Sequence, residues 1–396
     1  MSGTVRLAAI LGLLSAIGPA AIDLYLPALP SLERDLETSV AGAQTTLSVY
    51  FLAFGIAQLF YGPLADRHGR KPPIYAGLAL FVVGSIGCAL APSIGWLTAM
   101  RFVQGCGGAA VMVIPRAIVR DLHTGPQATR LMATIMLVVS VSPMLAPLAG
   151  SALIAFGDWR LLFTVLAVTG LLGLLLTRSA LPETLAPAQR RPIDLASLRQ
   201  GARTLFGDRQ FVGLTFIGGA GFASFTVFLA SASFVYTGQF GLSPTGFSLA
   251  FAINALGFFG ASQLAAPAAE RFGVIRVVQH ALVTFAIVTT SLLLLVIAGL
   301  GTLGVIIVLL FLANACMGLV IPTTMVMALD RHGDIAGLAS SLGGTLQMVT
   351  GALMVGLVGP FFDGTALPMV SAIAACAAAA LLLSRWLFSE QAYRPV

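Results

Sequence analysis

Long apolar runs, each closed by charge, glycine or proline, follow one another along almost the whole chain. A helix rises about 1.5 Å per residue, so ~17–25 apolar residues cross a hydrocarbon core roughly 30 Å thick. Twelve runs meet that length: residues 5–28, 43–61, 74–90, 96–119, 131–154 and 161–177, then 211–236, 247–266, 274–298, 303–327, 335–358 and 369–388. Lipid offers the backbone no hydrogen bonds, so each run must satisfy its own N–H and C=O groups as an α-helix. The pattern predicts an all-α integral membrane protein with twelve transmembrane helices.

Composition agrees. Charged residues are 9% of the chain, against roughly 25% in a soluble domain. The first run begins after Arg6 and resembles a signal peptide. It is too long for one, contains Asp23, and leads into further spans, so it reads as the first helix. Cys88, Cys106, Cys316 and Cys376 lie inside apolar runs without metal-ligand spacing and read as small core residues.

The net charge of +6 does not imply nucleic acid, because the basic residues fall in the short gaps between spans. With both termini in the cytoplasm, 18 of the 21 Lys and Arg lie inside, leaving Arg34, Arg101 and Arg160 for the outer side. The positive-inside rule selects that orientation. The longest polar stretch, residues 178–210, holds six arginines and divides the chain into bundles at 1–177 and 211–396. Within it Leu195, Leu198, Ala202 and Leu205 recur at helical spacing, which predicts a short helix resting on the inner membrane surface.

The halves repeat one another. Pro63-Leu-Ala-Asp-Arg-His-Gly69 after the second span matches Pro267-Ala-Ala-Glu-Arg-Phe-Gly273 after the eighth, 204 positions on. Val113-Ile-Pro115 matches Val320-Ile-Pro322 at an offset of 207. Two six-helix pseudo-symmetric bundles follow, an arrangement in which substrate binds near the midplane at the repeat interface.

The energy source narrows by elimination. Lys71, the one lysine, is followed by Pro72, so no Gly-rich phosphate loop of the ATP-binding kind exists. Charge inside a span is expensive and marks ion pathways. Asp23 lies five residues before Ala28, ~8 Å inside the outer edge at 1.5 Å per residue, and Arg101 lies five residues into the fourth span. In a low dielectric an aspartate resists ionisation and a nearby arginine biases that balance, so the pair is the candidate for proton coupling. Snorkelling to headgroups is the plainer alternative. Apart from Arg276 and Arg385 near the cytoplasmic ends of their spans, the second half holds only neutral polar groups within its spans, among them Asn254, Gln263, His280, Asn314 and Gln347. A lone histidine such as His280 reads as a helix–helix hydrogen-bond partner.

Gly62-Pro-Leu-Ala-Asp66-Arg67-His-Gly69-Arg70-Lys71-Pro resembles the loop between the second and third helices of the major facilitator superfamily. Arg101-Phe-Val-Gln104-Gly105-Cys-Gly107 is similar to its fourth-helix motif, whose arginine is associated with proton transfer. Pro143-Met-Leu-Ala146-Pro147-Leu-Ala-Gly150 is similar to the fifth-helix motif of drug:proton antiporters, with Ala146 where glycine is usual. Ile22-Asp23-Leu-Tyr25-Leu-Pro27, Arg120-Asp121 and Leu181-Pro-Glu183-Thr184 narrow the likeness to the Bcr/CflA group of bacterial drug exporters. The resemblance implies the fold of that superfamily and a cytoplasmic latch made by the second-to-third loop, in which Gly62, Asp66, Arg67, Gly69, Arg70 and Asp121 are the candidates. Asp66 is placed to cap a neighbouring helix and Arg70 to pair with Asp121, while Gly62 and Gly69 serve the turn. Pro143 and Pro147 should bend the fifth span, and Gly150 should admit another helix.

Pro19, Asp23 and Pro27 recur every four residues and so share one helix face, which with Tyr25 should line the cavity. Phe225, Phe228, Asn254 and Phe258 supply aromatic surface and one amide from the seventh and eighth spans. A greasy cavity with few polar anchors suits moderately apolar drugs, phenicol- or bicyclomycin-like, better than sugars. The expectation is a proton-coupled antiporter exporting such drugs from a bacterial inner membrane. It needs no cofactor and no metal. Its partners are the drug, protons and the bilayer, for a chain read as a monomer. An exporter of a metabolite such as an amino acid, a nutrient symporter and a non-transporting receptor or scaffold are the alternatives.

Overall fold

The computed structural model describes residues 3–123, 125–190, 192 and 194–389. Arg191 and Arg394, counted above among the inner arginines, lie outside the described residues. Fourteen α-helices follow in order: α1 (Gly3–Asp23), α2 (Leu29–Asp35), α3 (Val40–His68), α4 (Lys71–Ala89), α5 (Ile94–Leu122), α6 (Gly125–Phe156) and α7 (Arg160–Ala180), then α8 (Leu195–Gly207), α9 (Arg209–Phe234), α10 (Pro244–Phe272), α11 (Val274–Ile297), α12 (Leu303–Leu329), α13 (Ala336–Val358) and α14 (Ala366–Phe388). Twelve spans long and apolar enough to cross a membrane result, with α1 and α2 together forming the first, residues 6–35.

By internal packing the chain forms two compact units, Met1–Thr38 with Val49–Asp194, and Ser39–Ser48 with Leu195–Val396. In the first, α1 packs on α5 and α6, and α4 on α5 and α7. In the second, α9 packs on α12 and α13, and α11 on α12 and α14. Counted by span, these are the same pairings: first with fourth and fifth, third with fourth and sixth. The internal repeat read from two short motifs is thus a repeat of packing. It extends to backbone detail, because Gly69 and Gly273, the last residues of the matched loops, both adopt positive φ, +94° and +87°. Only glycine enters that region without steric cost, so each can turn the chain directly into the next helix.

Three boundaries differ from expectation. The second span was to close at Tyr61, but α3 continues through Pro63 to His68. Gly62 therefore stands mid-helix with open space around it and serves no turn. The first α-helix ends at Asp23, a 3₁₀ turn covers Leu26–Ala28, and α2 follows with Pro30 in its first turn. A proline ring clashes with the carbonyl four residues back, so Pro27 stops α1 at the aspartate, whereas a proline starting a helix costs nothing. Pro27 consequently does not continue the face of Pro19 and Asp23. Asp23 thus stands at the break inside the first span, twelve residues before Asp35.

The linker helix α8 is the third. Its stripe of Leu198, Ala202 and Leu205 was expected to face the membrane surface, but α8 packs on α9 and α13, and Leu205 is fully buried. Leu198 and Ala202 are half-buried, and the side chain of Leu195, the first member of that stripe, lies outside the described residues.

Candidate functional site

Arg101, two turns into α5, has no exposed surface. Its Nη1 donates to the Ala21 carbonyl at 3.1 Å and to Oε1 of Gln104 at 2.7 Å. Gln104 follows three residues later, hence on the same helix face. Its Nε2 donates to the Ser85 hydroxyl at 2.8 Å, which in turn donates to the Phe81 carbonyl at 2.7 Å, tying α5 to α4. The guanidinium lies 4.2 Å from the ring centroid of Tyr50 and 4.8 Å from that of Tyr25. Such desolvated cation–π contacts are worth ~2 kcal/mol. Tyr50 is itself fixed by donating to the Gly18 carbonyl at 2.9 Å.

These contacts leave Arg101 incompletely engaged. Its Nε and Nη2 have no hydrogen-bond partner among the described residues. Asp23, 4% exposed, lies two residues beyond the Ala21 carbonyl that Arg101 holds. No ion pair within 4 Å joins the two among the described residues. A buried carboxylate and a buried guanidinium with spare donors therefore share one corner of the first unit without being paired.

The end of α1 is fixed from a third side. Pro143, Pro147 and Gly150 lie buried on one face of α6, which runs unbroken through both prolines. A Cβ at Gly150 would collide with the Leu24 carbonyl and come within 3.2 Å of the Pro27 ring. The glycine admits the backbone immediately after Asp23.

The expected cavity residues separate into two groups. Tyr25 and Pro27 are buried, as are Phe228 and Asn254 at 1% exposure each, and none presents open surface. Phe228 stacks on Phe251 at 5.4 Å between centroids. Asn254 donates to the Ala250 carbonyl and accepts from Asn314 at 3.4 Å, so its amide ties α10 to α12. Pro19, Phe225 and Phe258 are half-buried, the two phenylalanines stacked at 5.3 Å. His280 was read as a helix–helix partner but is exposed and bonds the Arg276 carbonyl of its own helix.

At the charged end of the first unit, Arg70 forks onto Asp121, Nε to Oδ2 at 2.7 Å and Nη2 to Oδ1 at 2.9 Å, and also pairs with Asp66 one turn back. Arg67 is exposed. The helix cap differs from expectation, since the Asp66 carboxylate serves Arg70 while Glu183 accepts from the backbone N–H groups of Arg70 at 2.8 Å and Lys71 at 3.1 Å, at the start of α4. Thr184 adds a hydroxyl to Asp121 Oδ2 at 2.9 Å. Burial works against the charged form of Glu183, but the backbone donors of Arg70, Leu185 and Lys71 outweigh it and hold its pKa below the ordinary glutamate value.

Sequence reasoning missed Ser85 and Tyr50 and gave Gln104, Glu183 and Thr184 no role. Gln104 was findable, standing one turn from Arg101. Glu183 and Thr184 were visible only as marks of a family subgroup.

A profile of the Major Facilitator Superfamily matches residues 11–355. Among curated proteins the chain is 35% identical over 375 residues to the uncharacterized MFS-type transporter YdgK of Bacillus subtilis, covering 92% of this chain and 91% of that one. It is 31% identical over 380 residues to the bicyclomycin resistance protein homolog of Haemophilus influenzae, covering 96% and 95%. A chloramphenicol resistance protein of Pseudomonas aeruginosa is 33% identical over 263 residues, covering 65% and 59%. Among solved structures, the xylose transporter XylE of Escherichia coli superposes with a TM-score of 0.76 at 14% identity, covering all of both chains, which shows a shared fold. With twelve membrane helices, a repeated packing scheme and bacterial transporter relatives along nearly its full length, this multi-pass inner-membrane protein belongs to the Major Facilitator Superfamily.

Proposed function

We propose that the chain exports small, moderately apolar drugs by alternating access, each cycle driven by protons moving inward, with both termini in the cytoplasm. The observation that carries this reading is the unpaired coexistence of Asp23 and Arg101, both buried in apolar helices. A carboxylate in such surroundings favours its protonated form, and a fixed cation nearby opposes that preference. Asp23 takes and releases the proton, and Arg101 sets how easily it does so. Export of drugs is supported by the relatives named for bicyclomycin and chloramphenicol resistance. Half-buried Phe225 and Phe258, stacked on one another within the second unit, offer an apolar ligand an aromatic surface.

The test uses everted vesicles from cells producing the full chain, energised to an acidic lumen and followed with a pH-sensitive dye. Chloramphenicol or bicyclomycin should release protons from the lumen with the native chain and not with Asp23→Asn. A drug response that survives intact in Asp23→Asn refutes the proton role. The absence of any drug response across a broad panel refutes the exporter. A symporter of nutrients would instead move substrate and protons in the same direction.

A further inference from the structure

The second unit carries a groove between α11 and α14, apart from the residues discussed above for drug and proton. Gln279, His280 and Val283 form one wall and Leu381, Ser384 and Arg385 the other, around a cavity of about 400 Å³. The helices run antiparallel as packed neighbours, so the lining is sorted by height. Val283 and Leu381 each lie one turn farther toward the membrane interior than Gln279 and Arg385. The polar end holds a guanidinium, an imidazole, an amide and a hydroxyl; the inner end is hydrocarbon.

Two further features place that polar end at the membrane interface. Trp386, beside Arg385, is 47% exposed, and the Arg209 guanidinium lies 4.8 Å from its ring centroid. Exposed tryptophan and arginine of this kind mark the headgroup level. Neither α11 nor α14 contains an aspartate or glutamate. His280 Nδ1 lies 2.7 Å from the Arg276 carbonyl, which can only accept, so Nδ1 carries the proton and Nε2 is left as an acceptor at the groove.

We propose that this groove binds one anionic phospholipid, with its phosphate against Arg385 and Ser384, a headgroup hydroxyl donating to Nε2 of His280, and an acyl chain along Val283 and Leu381. A zwitterionic lipid brings its own cation to a site with no acid among its described lining residues to receive it. A free phosphate gains nothing from the hydrocarbon end. Basic clefts between membrane helices recognise anionic headgroups in this way. Assigning the lipid to the cytoplasmic leaflet rests on the orientation proposed above.

Native mass spectrometry of the full chain in detergent tests this, with phosphatidylglycerol, phosphatidylcholine of the same acyl composition and inorganic phosphate as separate probes. Transport is not read, so the result is independent of the exporter proposal. Phosphatidylglycerol should be retained in preference to phosphatidylcholine. Arg385→Gln should weaken its binding about fivefold, the effect of one cation near an anionic surface. His280→Leu, which removes the acceptor at an exposed position, serves as a second variant, and it too should reduce the preference. Arg34→Gln on α2 should leave it unchanged. Equal retention of the two lipids, or an undiminished preference in both groove variants, overturns the proposal. Displacement of phosphatidylglycerol by inorganic phosphate overturns the lipid assignment.

Discussion

The carboxylate of Glu183 reaches 113 residues back along the chain to lie 2.8 Å from the backbone nitrogen of Arg70, where α4 begins. Helix N-termini leave four N–H groups without intrahelical partners and carry partial positive charge, so one carboxylate both satisfies donors and meets the dipole. Losing such a cap costs about 1 kcal/mol. Thermal melting of the purified protein in detergent should rank native above Glu183→Gln above Glu183→Ala. Equal melting of native and Glu183→Ala would remove the cap from the account.

Acid should erase that difference. Because the folded protein holds the Glu183 pKa below its unfolded value, the stabilisation is complete above the range where a free glutamate titrates. It is lost as pH falls through the lowered folded value. The gap in melting temperature between native and Glu183→Ala should stay constant from neutrality to about pH 5 and close under stronger acid. A gap that widened on acidification would have the wrong sign.

Arg70 and Asp121 should behave as one unit. Their forked contact is largely shielded, with side-chain exposures of 7% and 15%. Removing one partner leaves the other charge uncompensated, whereas removing both does not. A double-mutant cycle of Arg70→Ala and Asp121→Ala should give a coupling of ~1–3 kcal/mol, read as a double variant hardly less stable than either single one. Simple additivity would show the pair to be inert.

For Arg101 the planar group matters beyond its charge. Lysine retains the charge but cannot face Tyr25 and Tyr50 while also donating to Ala21 and Gln104. Arg101→Lys should melt lower by the equivalent of ~2 kcal/mol and lose drug-dependent proton release in vesicles. Full activity in that variant would make the arginine a mere positive charge.

Two glycines of the quoted motifs should respond in opposite ways. Gly150→Val drives a side chain into the Leu24 backbone and should cost ~1–3 kcal/mol as overpacking. Gly62→Ala, mid-helix and in open space, should be neutral or stabilise by ~0.5–1 kcal/mol. Matching losses at both sites would contradict the packing described.

Much of this was readable from residues alone, for reasons that can be stated. Spans are legible because lipid imposes one length and one kind of backbone bonding, and the repeat because Pro63 to Gly69 recurs at Pro267 to Gly273. Arg70 and Asp121 were legible as complementary charges at one end of the bundle. What escaped depends on distances that no spacing encodes. Asp23 is one residue type in the middle of an apolar run, and the helix break after it went unseen because Pro27 and Pro30 look like a span's end although each begins a new helical turn. Phe228 and Phe225 stand one turn apart with the same chemistry, and only packing makes one buried and the other half open. Ser85 and Tyr50 are ordinary members of their helices until Gln104 and Arg101 are brought against them.

Helix α1 ends at Asp23, and Arg101 grips the carbonyl of Ala21 in its final turn, the negative pole of that helix. The scaffold itself thus anchors the guanidinium, whether or not the neighbouring acid carries a proton. Stopping the helix at Asp23 separates the two side chains' supports: one is bolted to the frame by a backbone carbonyl, and the other stands just where the frame ends.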